Sequence, residues 1–195
     1  MSVLELSKIA QGCQRNWLED LKMPEKDIDY IIEACTTMPT KQNKNTYSLC
    51  AITDRKLIDK LFQHSYDPDD YNRTFRKNTQ VRGNLLLVWY DGPESKREYE
   101  TPVNDDVNIG ISAGGAALAA VELGYKTGFC RCFINDKVAE TLLPYIGKLK
   151  DRKRVKLMLG IGYGVPQLER NIMVIDGEKK GFKHTYSKNI KVTKI

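Results

Sequence analysis

The chain is 195 residues long, 41% hydrophobic and 29% charged, with a formal charge of +6. Such a length and balance suit one compact domain over residues 1–195 and exclude wholesale disorder. No apolar run approaches the ~20 residues of a membrane helix, and the opening MSVLELSKIAQGC lacks the continuous apolar stretch of a secretory leader, so a cytoplasmic protein without a membrane partner is expected.

Residues 3–11 read as a short helix, with Val3, Leu4, Leu6 and Ile9 on neighbouring turns. The next helix has Pro24 near its first turn, Glu25 close behind, and Ile28, Ile31, Ile32 and Cys35 on one face. The polar TTMPTKQNKNT, broken by Pro39, reads as a loop. SLCAIT (48–53) is a short strand, and Asp54 can cap a helix over 55–64. NLLLVWY (84–90) is the strongest strand, apolar on both faces and therefore central. A charged, exposed and mobile loop at 94–103 precedes the longest helix, about 105–123, which Gly124 stops. Strands follow at 127–133 and 155–161, with a short helix at 137–143 between them. The closing KNIKVTKI alternates like a strand but has no partner nearby in sequence. The whole is α+β: helices flanking a small mixed or antiparallel sheet.

The long helix is rich in small residues: Gly110, Ala113, Gly114, Gly115, Ala116, Ala117, Ala119 and Ala120. Each interior glycine costs roughly 0.8–1 kcal/mol relative to alanine, so close approach of another helix or a ligand must offset it. Together with the partnerless tail, this favours a homodimer in which helices pair and tails exchange, over a tightly packed monomer.

Cys13, Cys35, Cys50, Cys130 and Cys132 form an odd set without the spacing of a disulfide framework. Cys130 and Cys132 sit in TGFCRCF, where a strand would put both thiols on one face. Too few imidazoles accompany them for a zinc site, so buried thiols in a reducing compartment are expected, and no metal. The positive charge is spread apart from KLKDRKRVK and the tail, and no helix-turn-helix or RNA motif accompanies it. A solvated surface or an anionic small-molecule ligand is expected rather than a nucleic acid.

Four stretches, in this order and spacing, resemble the nitroreductase family from residue 9 to about residue 164. QGCQRNW sits where the family has Arg-x-Ser-x-Arg-x-aromatic, matched by Gln11, Cys13, Arg15 and Trp17. EACTTMPTKQNKNTYSLCAITD is similar to a helix, then Pro-Ser-x-x-Asn, then a strand, with Pro39, Thr40, Lys41, Asn43 and Asn45 in the loop. DVNIGISAGGAALAAVELGYKTGFCRCF is like the long dimer helix running into the strand beside the flavin, and LMLGIGYG like the Leu-Gly-x-Gly-Tyr-Pro strand end.

The resemblance implies an FMN-dependent oxidoreductase that moves electrons from NAD(P)H to a nitroaromatic, quinone or similar conjugated acceptor by ping-pong chemistry. It implies a central dimer helix and a C-terminal strand exchanged between subunits, with residues 183–195 on the partner. The FMN-binding residues it implies are Gln11, Gly12, Cys13, Arg15, Pro39, Thr40, Lys41, Asn43, Asn78, Cys130, Arg131, Cys132 and Lys188, with Lys183 an alternative to Lys188. The 39–43 loop would serve the partner's flavin, and residues 130–132 would act through backbone more than side chain. Arg15 is the principal cation, for the phosphate or the pyrimidine edge. No catalytic acid or base is required, so none is assigned, and His64 and His184 read as surface histidines. Gln11 and Cys13 stand where the family has arginine and serine, which weakens one phosphate contact; Asn45, Thr46 and Tyr47 replace Gln-Pro-Trp. Gly160, Gly162 and Gly164 form a G-x-G-x-G with no helix after it, so no dinucleotide loop is expected. The rival readings are a non-catalytic or vestigial flavin-binding relative, and a small basic nucleic-acid-binding protein.

Overall fold

The computed structural model describes residues 1–40, 43, 46–66, 77–92, 102–147, 154–165, 172–175, 178–181 and 193. The expected mobile loop (apart from the start of the long helix), Lys41, Asn45, Lys183, His184, Lys188 and the closing strand lie outside them.

Five helices and six strands follow: α1 Val3–Ala10, α2 Glu25–Thr36, β1 Tyr47–Ile52, α3 Arg55–Gln63, β2 Leu85–Asp91, α4 Pro102–Glu122, β3 Lys126–Cys130, α5 Asn135–Ile146, β4 Val155–Gly162, β5 Ile172–Ile175 and β6 Glu178–Gly181, counted among the described residues. Their ends follow local chemistry. Ser2 and Glu5 form a reciprocal capping box on α1, and the Asp54 side chain accepts from the Lys56 N–H to start α3. Gly124, at φ 89°, turns the chain out of α4 in a conformation that favours glycine.

The main sheet is antiparallel, ordered β1-β2-β4-β3. β2 is internal, and its alternation is apolar on both faces. Leu85, Leu87 and Trp89 join Ile31, Cys35 and the alanines of α4 in one core, while Leu86 and Val88 join Ile58, Leu61, Val138 and Leu142 in the other. Helices therefore cover both faces, which is why β2 reads as an unbroken hydrophobic run. A buried polar chain ties three elements together: the Trp89 indole N–H donates to Ser112 Oγ (2.9 Å), whose hydroxyl donates to the Cys35 carbonyl (2.9 Å). That carbonyl belongs to the last turn of α2, where it has no partner within the helix.

Several expectations need correction. On α1 only Leu6 is buried; Val3 is 71% and Leu4 64% exposed, and Ile9 is exposed as well. The strand at 127–133 is shorter, because the chain leaves the sheet after Cys130 and Phe133 bridges Ser65 instead. The helix at 137–143 extends over Asn135–Ile146 and holds Pro144 inside. A hairpin, β5–β6, was not anticipated. On α4 the small residues divide: Ala113, Ala116, Ala117, Ala119 and Ala120 are buried in this chain's own core, and Gly115 packs against Met38. Gly110 and Gly114 have nothing within 4 Å of where a Cβ would stand.

A 3₁₀ turn at Thr79–Arg82 lies against β3 and β4. A methyl at Gly160 would run into the Gln80 carbonyl, and one at Gly128 would stand 2.7 Å from the Gln14 carbonyl. Glycines on the sheet thus let the turn and the 13–17 segment approach backbone to backbone.

Candidate functional site

Residues 13–17 run extended along the outer edge of β3. Cys13 bridges Thr127 in parallel, the Gln14 N–H donates to the Thr127 carbonyl (2.7 Å), and Trp17 bridges Gly164. In an extended segment alternate side chains share a side, and here three of them meet the 78–80 turn. Gln80 Nε2 donates to Cys13 Sγ (2.8 Å), Arg15 Nη1 to Asn78 Oδ1 (3.3 Å) and Trp17 Nε1 to the Thr79 carbonyl (2.8 Å). The every-second-residue spacing of the Cys-x-Arg-x-Trp part of the signature is thereby explained. Gln11 is exposed at the end of α1, and the half-buried Gly12 donates its N–H to the Ile9 carbonyl (3.0 Å).

Asn78 is 1% exposed and held from two sides. Its side-chain oxygen accepts from the Gln80 N–H (3.1 Å), and its own N–H donates to Ser65 Oγ (2.9 Å). Ser65 is buried, and its segment is stitched to the end of β3: the Tyr66 N–H donates to the Cys132 carbonyl and the Ile134 N–H to the His64 carbonyl, both at 2.9 Å. Residues 13–15, 64–66, 78–80 and 130–134 thus converge at one corner, with the Arg15 guanidinium half-buried beside a fixed amide. Ser65 and Gln80 carry no sequence signal, since nothing in a lone serine and a lone glutamine announces that they brace the asparagine that holds a distant arginine.

The strand expected to set Cys130 and Cys132 on one face ends at Cys130; Cys130 lies in the second core, and Cys132 packs against that core from the chain beyond the strand. Hydrogen bonding with Cys132, together with burial, pushes the Cys130 thiol well above its ordinary range, so it is protonated at neutral pH. It is therefore no nucleophile. Arg131 between them is exposed. All five cysteines are free, and among the described residues no group of three or more His, Cys, Asp or Glu side chains is placed to hold a metal ion.

The second set of predicted residues lies elsewhere. Pro39 is exposed, and Thr40 and Asn43 line a cleft of about 850 Å³ with Ile32, Thr36, Ser48 and Leu49. Asn43 adopts φ 55°, a left-handed conformation that asparagine tolerates, and donates its N–H to the Thr40 carbonyl (3.1 Å). This cleft borders β1, at one edge of the sheet; the Arg15 corner borders β3, at the other. Three inter-strand spacings separate them, roughly 14 Å. The chain does not bring its two predicted sets together. Thr46 and Tyr47 are buried: the Asn108 amide donates to Thr46 Oγ1 (2.9 Å) and the Tyr47 hydroxyl to the Cys35 carbonyl (3.4 Å). Gly160 and Gly162 belong to β4 and Gly164 to its bridge with Trp17, so the glycine triplet serves packing.

No protein-family model matches the sequence, and no curated protein matches it. Solved structures do. The fold is similar to a nitroreductase family protein from Clostridium novyi NT, at 17% identity over 88% of this chain and 90% of that one, with a TM-score of 0.68. A nitroreductase with bound FMN from Bacteroides fragilis NCTC 9343 matches at 16% identity over 100% of both chains, with a TM-score of 0.66. A nitroreductase family protein from Clostridium difficile 630 matches at 20% identity over 86% of this chain and 88% of that one, with a TM-score of 0.65. The family resemblance read from the four motifs is thus met at the level of the fold, which is that of the nitroreductases.

Proposed function

We propose that this protein is an FMN-dependent oxidoreductase that works as a homodimer, moving electrons from NAD(P)H to a nitroaromatic, quinone or similar conjugated acceptor. The observation that carries the reading is the Arg15 corner: a half-buried guanidinium held by Asn78, itself braced by Ser65 and Gln80, on a fold whose FMN-bound example covers the whole chain. A fixed cation beside backbone and amide groups fits a flat ligand with a phosphate and a polar edge.

The residues present fit FMN. Arg15 would hold the phosphate or the pyrimidine edge, and the backbone of residues 130–132 would meet the central ring. Pro39, Thr40, Lys41 and Asn43 would come from the partner subunit, because their own chain holds Thr40 and Asn43 beside the opposite sheet edge. Lys188 or Lys183 would add a cation from the tail. Bound FMN would supply two-electron transfer, accepting a hydride from the nicotinamide and passing electrons to whatever replaces it on the ring. The protein's part is to bind, orient and exclude water, so no acid or base is needed.

Three features support the dimer. Val3, Leu4 and Val107 are exposed, and Gly110 and Gly114 leave open space on α4. The outer edge of β1 carries no strand among the described residues, and an open edge invites pairing. The alternating tail, residues 183–195, is a suitable strand for the partner's edge. No helix among the described residues is long and apolar enough to cross a membrane, and we place the protein in the cytoplasm, where its free cysteines stay reduced.

The test is direct. Purified protein should be yellow or take up added FMN, sediment as a dimer, and lose its flavin absorbance anaerobically with NADH or NADPH; an acceptor panel then restores it. Colourless protein that binds no FMN would instead mark a relative whose site has decayed, as Gln11 in place of arginine would favour.

A further inference from the structure

The chain leaves the sheet after Cys130, and that break changes how Cys130 and Cys132 meet. In a regular strand, residues two apart stand about 6.7 Å from each other with parallel side chains, whereas a disulfide needs Cβ atoms roughly 3.5–4.5 Å apart. Beyond Cys130 the backbone pairs with the 64–66 segment instead: the Cys132 carbonyl accepts from the Tyr66 N–H (2.9 Å), and Phe133 bridges Ser65. The Cys130 thiol donates to the Cys132 carbonyl (3.7 Å) and lies within hydrogen-bonding reach of the Cys132 thiol. The two sulfurs differ in access. Cys130 is 2% exposed in the second core, while Cys132 is half-buried at that core's border. Cys13 is a third thiol nearby, but it is engaged elsewhere: Gln80 Nε2 donates to it (2.8 Å), and it donates to the Phe129 carbonyl (3.8 Å). A buried thiol touching an accessible one, at a bend rather than along a ladder, is the arrangement of a dithiol that can close.

We infer that Cys130 and Cys132 form a reversible dithiol–disulfide pair whose substrate is a small external disulfide. Cys132, the accessible member, attacks as its thiolate. Its sulfur bonds to one sulfur of the substrate, the substrate's S–S bond breaks, and the other half leaves and takes up the proton that Cys132 gave up. Cys130 then attacks the Cys132 sulfur of this mixed disulfide and expels the second half, which takes the Cys130 proton. The substrate is thereby reduced by two electrons to two thiols, and the pair is oxidised by two electrons to a disulfide. The order of attack follows from the surroundings. Hydrogen bonding with Cys132 is the largest of the causes that keep Cys130 protonated, ahead of burial, which is why Cys130 is no nucleophile in the reduced pair. Bonding Cys132 to the substrate removes that cause and leaves the buried thiol beside the sulfur it has to attack. In a reducing cytoplasm the disulfide is transient, and the pair returns to the dithiol. No flavin takes part, so the pair and the proposed flavoenzyme stand or fall separately.

Oxidised glutathione is the probe, added in excess to the reduced full-length protein, followed by acid quenching, alkylation of the remaining thiols and mass spectrometry. Trypsin cuts after Arg131, so the peptides that carry Cys130 and Cys132 stay joined only through their own disulfide. In wild type these two peptides should appear joined, lighter by two hydrogens than the separate thiols, and dithiothreitol should return both thiols. Cys130→Ala keeps the core position apolar and removes the resolving thiol. It should accumulate one glutathione on Cys132, in an adduct at least about tenfold longer-lived than in wild type. A wild-type protein that keeps both thiols, holds a lasting glutathione on Cys132, or joins either cysteine to Cys13 overturns the inference. So does a Cys130→Ala adduct that clears as fast as the wild-type one. Should Cys130→Ala fail to fold, the wild-type peptide map decides by itself.

Discussion

The two edges of the main sheet carry the two halves of the proposed site, and they are built differently. Beside β3, side chains are pinned: Cys13, Arg15 and Trp17 each meet the 78–80 turn, and Asn78 is 1% exposed. Beside β1, Thr40 is half-buried and Asn43 exposed, around an open cleft of about 850 Å³. One half is preorganised by its own chain; the other is offered outward. A group that must hold charge benefits from being fixed before the ligand arrives, whereas a loop that serves a neighbour has to be accessible to it.

Mixing subunits tests that division most severely. Arg15→Asp and Thr40→Asp should each cost the homodimer at least ~100-fold in FMN affinity, since each sets an acid against an anionic ligand. Co-expressed, they should form hybrids with one intact crevice, recovering about a quarter of wild-type flavin content. Recovery absent from the mixture would mean that both residues serve one chain's own site. Milder changes at the pinned half follow. Arg15→Gln should weaken FMN by about 10- to 100-fold, the loss of a bond to a charged group. Gln11→Arg should tighten it up to about tenfold by restoring the missing cation; equilibrium titration reads both.

Glycines sharpen the contrast between a buried and an outward surface. Gly160→Ala would drive a methyl into the Gln80 carbonyl, and should cost about 1–3 kcal/mol of stability while displacing Asn78. Gly114→Ala enters open space. Its helix should gain up to about 1 kcal/mol, while a dimer packed on that face should dissociate more readily; denaturation at several protein concentrations separates the two effects. The smallest effect concerns His64. Its pKa is lowered in the folded chain, so the unfolded chain binds the proton more readily, and stability present above the ordinary 6.5 is lost as the pH falls through that value and below. Urea midpoints at about pH 8 and about pH 5.5 should fall further apart for wild type than for His64→Asn.

The sequence by itself determined the pieces that local chemistry controls. The cap at Asp54, the stop at Gly124 and the two-faced run of β2 are each written in a few neighbouring residues, and all three stand as read. The hairpin β5–β6 was legible too, since Asp176 and Gly177, which separate its strands in the sequence, are a strong two-residue turn signal. Spacing alone set Cys13, Arg15 and Trp17 on one side of an extended segment, but could not say what that side would meet. Tertiary structure decided that Ser65 and Gln80 brace Asn78 and Cys13. It also decided that α1 turns Val3 and Leu4 to solvent, and that Gly110 and Gly114 face open space while the alanines between and beyond them are buried. The reason is physical. Caps, turns and alternation are contests within a few residues, whereas which face finds a partner depends on the packing of segments that sequence separation hides.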